Sequence, residues 1–115
     1  MKMKRIDATV QATKIGSVSD AINDVVGGFT IQEGNGRGSG ARHEIRSGRG
    51  TGTITAEYNK VATITTIVDD SEVEKVSTAI ADAAFTGKGG DGIIVVSNVD
   101  SVINIASKKS GSEAL

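Results

Sequence analysis

The chain has no cysteine, no proline, three aromatic residues and one histidine. Without cysteine there is no disulfide framework, no thiolate zinc site and no thiol nucleophile. A lone His43 excludes a multi-histidine metal site within one chain. Excess charge of one sign is also missing, since 13 Lys+Arg face 14 Asp+Glu for a net −1. That balance excludes a polycation that coats nucleic acid or anionic lipid. The longest strictly apolar run, Ile93 to Val96, is far short of a membrane span. No apolar stretch follows Met1-Lys2-Met3-Lys4, so a signal peptide is not expected and a cytoplasmic protein is. With 115 residues, one domain over 1–115 is expected. A core of Val, Ile, Ala and Thr with only Phe29, Tyr58 and Phe85 is thin for a monomer of this size. Burial of further faces between copies is therefore expected.

What is present is patterned. Residues 4–13 alternate Ile6, Ala8, Val10 and Ala12 with polar neighbours, as a half-buried strand does. Val18, Ala21, Ile22 and Val25 fall on one helical face, after a Ser17/Asp20 capping pattern and before Gly27-Gly28. Phe29 to Glu33 reads as a second strand and residues 53–68 as a third. Ser71 with Glu74 caps a second helix marked by Val73, Val76, Ile80 and Ala84, ending near Phe85. The turn TGKGGDG at 86–92 leads to a short buried strand, Ile93 to Val96. Residues 107–115 read as a polar tail. The order strand, helix, strand, strand, helix, strand predicts an α+β, ferredoxin-like βαββαβ fold with an antiparallel sheet.

Residues 34–52, between strands two and three, break this composition. Seven of the 19 are Gly, and four of the five arginines (Arg37, Arg42, Arg46 and Arg49) lie here. This predicts a long flexible loop, which compact domains rarely keep without a use. Three uses are open: a solvated hairpin tip, an RGG-like RNA contact, or an arm that orders around an anion and docks on a protein. RNA stacking needs aromatics on the central strands, and only Tyr58 is available.

No catalytic constellation is present. Gly87, Gly89 and Gly92 spell a dinucleotide fingerprint, but a helix precedes them and a strand follows, the reverse of that motif. The turn serves either as a plain connector or as a nest of backbone N–H groups for an anion. There is no GxxxxGK[ST] phosphate loop. His43 sits between Arg42 and Glu44 in the glycine-rich loop, a poor place to hold a base in register. Asp69-Asp70 has the structural role of a turn before a helix.

MKRID at 3–7, GFTIQEGNGRG at 28–38 and TGKGGDGIIVV at 86–96 resemble the PII nitrogen-regulatory signalling proteins, with similarity running from Met3 to the terminal GSEAL. The resemblance implies a ferredoxin-like homotrimer that binds adenine nucleotide (ATP, ADP or AMP) between subunits, often with 2-oxoglutarate beside it. It implies that residues 34–52 are the T-loop, which acts on a target transporter or metabolic enzyme and brings the protein to a membrane only through a transporter. By the same resemblance the nucleotide contacts are Thr30, Gly34, Gly36, Arg37, Gly38, Thr66, Gly90, Asp91, Gly92 and Ile93. Lys60 matches an effector contact for 2-oxoglutarate, and Arg42, Arg46 and Arg49 lie in the partner-binding loop.

Departures from the family accompany the matches. Ile93 stands where the family has Lys, and Asn104 and Ala106 stand where it has an Arg-x-Arg pair, so three phosphate cations are missing. Arg46, Arg49, Lys108 and Lys109 are candidates to replace them. Gly38 replaces the glutamine that helps hold magnesium and 2-oxoglutarate, and residues 34–52 lack a tyrosine for uridylylation. The expected function is a PII-like regulator, not an enzyme, of nitrogen or carbon metabolism. Its ligand is an adenine nucleotide with ATP not favoured, or alternatively a cyclic nucleotide or bicarbonate; an RNA-binding module is the other class.

Overall fold

The computed structural model describes residues 2–38, 44–46, 53–55 and 57–115. Strand β1 (Met3–Gln11) is followed by a 3-10 turn and helix α1 (Ile15–Ile22). Then come β2 (Thr30–Gly36), the short strands β3 (Glu44–Arg46) and β4 (Thr53–Thr55), and β5 (Asn59–Asp69). Helix α2 (Val73–Ala84) and strand β6 (Gly92–Val99) complete the order. The main sheet is ordered β2-β5-β1-β6, antiparallel throughout, which is the expected ferredoxin-like arrangement.

Strand alternation and helical periodicity meet in one core. Ile6, Ala8 and Val10 of β1 and Ala62, Ile64 and Val68 of β5 point to the same face and are buried. Val18 and Ile22 of α1 and Val76, Ile80 and Ala84 of α2 close over them. Each fully buried Val or Ile contributes roughly 1.5–3 kcal/mol relative to exposure. Among the described residues the opposite sheet face carries no helix. There Asp7 accepts hydrogen bonds from Thr65 Oγ1 at 2.7 Å and Arg5 Nε at 2.9 Å, and the Thr9 and Thr63 hydroxyls meet at 2.7 Å. Partial burial pushes the Asp7 carboxyl up, but the Thr65 bond and the Arg5 guanidinium outweigh it and hold the group below its ordinary value.

Several expectations are corrected. Neither capping pattern forms: α1 and α2 are reached through 3-10 turns at Ala12–Lys14 and Asp70–Glu72, with no side-chain cap. The chain runs into both helices already in right-handed dihedrals, so no extended capping residue precedes them. Within α1, Ser19 Oγ donates to the Gly16 carbonyl at 3.0 Å. Helix α1 ends at Ile22, whose carbonyl accepts from both Val25 N and Val26 N before Gly27. The 34–52 segment is not wholly loop: β2 continues to Gly36, and 44–46 pairs with 53–55 as a separate two-stranded ladder. Residues 53–55 thus leave the third strand, which starts at Asn59. Arg42, His43 and Arg49 lie outside the described residues, and Arg46 is placed only as the end of β3.

The strand at 93–96 is not buried in this chain. Among the described residues strand β6 lies at the sheet edge, paired only with β1, and Ile93, Val95 and Val96 are 63%, 47% and 43% exposed. The polar tail is also corrected. Ile103 bridges Ser110, Gly111–Ala114 forms a 3-10 turn, and Ala114 is buried. Asn104 is the reason: its Oδ1 accepts from Ala106 N at 3.0 Å and Ser107 N at 3.1 Å, and its Nδ2 donates to the Ala114 carbonyl at 3.1 Å. These bonds turn the chain and bring Leu115 against Gly27.

Candidate functional site

A cleft opens where four chain segments converge. The end of β1 supplies Thr9, Val10 and Gln11, and the end of β2 supplies Gly36, Arg37 and Gly38. The start of β5 supplies Asn59 and Val61, and the turn into β6 supplies Gly90, Gly92 and Ile93. Together they line a cleft of about 490 Å³. Arg37 is the only ionisable side chain among these lining residues.

The 86–92 turn is organised by one carboxylate. Asp91 accepts from Thr86 Oγ1, from Thr86 N at 2.7 Å and from Gly87 N at 3.1 Å. Lys88 N donates in turn to Thr86 Oγ1 at 3.3 Å. These Thr86 bonds, with those of Gly87 and the charge of Lys14, hold the Asp91 carboxyl below its ordinary value. Asp91 therefore spends its oxygens on the turn. Gly87, Gly90 and Gly92 all have positive φ, which glycine adopts without strain, and at Gly90 the Cβ direction is open space. A group whose folded pKa is lowered stabilises the fold at neutral pH, and that contribution is lost as pH falls through the lowered value. The Thr86 and Gly87 amide signals should thus titrate in acid with a midpoint below 3.8. A midpoint above that value in an NMR titration would contradict this role of Asp91.

Arg37 is engaged across the base of the arm. Its Nε and Nη2 donate to the Glu57 carbonyl at 3.0 and 2.8 Å, and its guanidinium lies 5.2 Å from the centroid of the Tyr58 ring. A cation–π contact at such an exposed site is worth about 0.5–1 kcal/mol.

A second groove, of about 420 Å³, lies elsewhere on the chain. Thr30, Thr65, Thr66, Asn104 and Leu115 are among its lining residues. Thr66 is buried and donates to the Gly28 carbonyl at 2.7 Å. Thr30 pairs with Thr65 at one end of the β2–β5 ladder, whereas Gly36 pairs with Asn59 at the other. At about 3.3 Å per residue these ends are about 20 Å apart.

The family model described as Nitrogen regulatory protein P-II matches residues 3–109. The chain belongs to the nitrogen regulatory protein P-II family. A P-II protein of Azospirillum brasilense is 34% identical over 114 residues, covering 98% of this chain and all of its own length. One from Synechocystis is 33% identical with the same coverage. Among solved structures, B. subtilis GlnK has a TM-score of 0.77 at 20% identity over the full length of both chains and bears on the fold alone. Arabidopsis thaliana PII bound to citrate has a TM-score of 0.79 at 25% identity, covering 99% of this chain and 92% of its own.

On this P-II chain the residues named from sequence are sorted by the fold. Gly36, Arg37, Gly38, Gly90, Gly92 and Ile93 meet in the first cleft, and Asp91 braces its wall. Thr30 and Thr66 belong to the second groove. Gly34 is paired with Val61 within the ladder and does not line the cleft. Lys60 is exposed and, by strand alternation, lies on the face opposite Val61, away from the cleft. Gln11, Asn59 and Tyr58 were not legible as site residues. Gln11 reaches the site because Val10 pairs with Gly92, and its Nε2 comes 3.4 Å from Asp91 Oδ1. No sequence pattern states that register.

Proposed function

We propose that this P-II chain is a ligand-responsive regulator. It binds an adenine nucleotide between copies and acts on a transporter or metabolic enzyme through the 34–52 arm. The convergence in one cleft of six of the ten nucleotide contacts named from sequence carries this reading. The turn offers its backbone to phosphate, as P-II resemblance suggests, and Arg37 offers the one charged donor of the lining. The separation of Thr30 and Thr66 from that cleft supports a site completed by a second copy. One copy sets its arm-base cleft against the other's Thr30 groove, so a ligand spans both. The uncovered sheet face and the exposed apolar edge of β6 support association of copies. Among the described residues no helix is long and apolar enough to cross a membrane, in keeping with regulation from the aqueous side.

A smaller phosphate chain than that of ATP is favoured by a specific observation. Asn104 is occupied in building the C-terminal turn, and Ile93 puts an apolar side chain on the cleft wall. Lys60 and Gly38 give little support to 2-oxoglutarate with magnesium.

Native mass spectrometry with a thermal-shift screen tests the proposal. The expected species is three times the 11.8 kDa chain mass. ADP or AMP at a hundredfold excess over its Kd should add about 2.7 kcal/mol to stability, a clear rise in Tm. A monomer at micromolar concentration with no nucleotide shift would contradict it.

A further inference from the structure

The base of the arm is cross-linked by contacts that no phosphate ligand needs. Arg37 leaves the main sheet just after β2, and Glu57 and Tyr58 return just before β5. Two N–H groups of one guanidinium are spent on the single Glu57 carbonyl, at 3.0 and 2.8 Å, with the Tyr58 ring beneath at 5.2 Å. The same guanidinium is the only charged group among the residues lining the cleft. It therefore has two competing partners: a neutral carbonyl with an aromatic face, and any anion in the cleft. A phosphate adds the attraction of a full negative charge and accepts two parallel N–H bonds on separate oxygens, a geometry one carbonyl oxygen does not offer the guanidinium fork. Tyr58 is half exposed and lies outside the buried core cluster, so core packing does not fix its ring.

We propose that Arg37, held by the Glu57 carbonyl and the Tyr58 ring, is a pin between the two ends of the arm, and that a phosphate in the cleft withdraws it. This rests on the nucleotide reading above and names how occupancy of that site is passed to residues 57–58. Tyr58 acts here through Arg37; it is a positioning residue that sets how strongly the resting pin competes with ligand. Removing the ring weakens the pinned state and tightens binding, opposite to the effect of deleting an ordinary ligand contact.

The chain has one tyrosine and no tryptophan, so a 13C-labelled tyrosine gives a single set of ring signals. ADP is the probe. On saturation with ADP, the wild-type Tyr58 ring signals should move to the positions seen in ligand-free Arg37→Ala, where the stack is absent. Calorimetry should find Tyr58→Leu binding ADP about two- to fivefold more tightly, the loss of an exposed cation–π contact. Tyr58→Phe, which keeps the aromatic face, should stay near wild type. If ADP binds saturably while the ring signals stay fixed and Tyr58→Leu binds equally or more weakly, the pin is overturned and the nucleotide site stands. If ADP does not bind wild type at all, both fall together.

Discussion

Replacing Gly92 by alanine is expected to be the most damaging glycine-to-alanine change among the described residues. Gly92 opens β6 opposite Val10, with φ at +128°, a region that L side chains rarely adopt. An added Cβ would lie 2.1 Å from the Thr9 carbonyl oxygen and 3.0 Å from Val10 Cα, both backbone atoms of the central strand. No rotamer relieves such an overlap. Either β6 separates from β1 at its first residue or the turn takes other dihedrals. Strain of this kind with loss of a ladder start costs about 3 kcal/mol or more. Gly90 provides the control. It also has positive φ, +95°, but open space surrounds its Cβ position. Gly90→Ala should cost only about 1–2 kcal/mol, the left-handed penalty. Urea denaturation of the two variants should separate them, with Gly92→Ala the less stable. Equal midpoints would contradict the close approach of β1 and the turn.

The second large effect concerns phosphate number. ADP, AMP or a cyclic adenine nucleotide is expected to bind at least as tightly as ATP. Each charge-assisted hydrogen bond lost contributes roughly 1.5–3 kcal/mol, and the P-II resemblance counts three missing cations, at Ile93, Asn104 and Ala106. The fold removes the simplest way to restore one of them. Asn104 holds Ala106, Ser107 and the Ala114 carbonyl, so its position has been given over to the C-terminal turn. Lys108 and Lys109 sit within that turn, where Lys108 adopts a positive φ of 59°. A third phosphate brings added negative charge beside Arg37 alone among the lining residues. Calorimetric titrations with ATP, ADP and AMP, with and without magnesium, decide the matter. An ATP advantage of tenfold or more over both, about 1.4 kcal/mol, would mean that other cations reach the site.

The βαββαβ order was legible because its strongest signals are periodic. Ile6, Ala8 and Val10 alternate on β1, and Val76, Ile80 and Ala84 repeat at four-residue spacing on α2. What failed were elements made by partners distant in sequence. Gly34, Asn35 and Gly36 have poor strand propensity, yet they extend β2 because Val61, Lys60 and Asn59 pair with them. Residues 107–115 look like a tail until Asn104 is seen to fold them back. Ile93, Val95 and Val96 read as core because four apolar residues in a row cannot reveal that their strand is an edge. For the site, the glycine turn and Arg37 were legible through family resemblance. The pairing of Arg37 with Glu57 and Tyr58, and of Gln11 with Asp91, follows from strand register and had no sequence signal.

A calorimetric titration of ADP into the purified protein is the most direct test of the central claim, an adenine nucleotide site at the cleft of Arg37, Gly90 and Gly92. The expected result is a saturable isotherm with one site per chain, weakened by Arg37→Ala. Heats that never saturate at millimolar ADP, or an affinity that Arg37→Ala leaves unchanged, would contradict it.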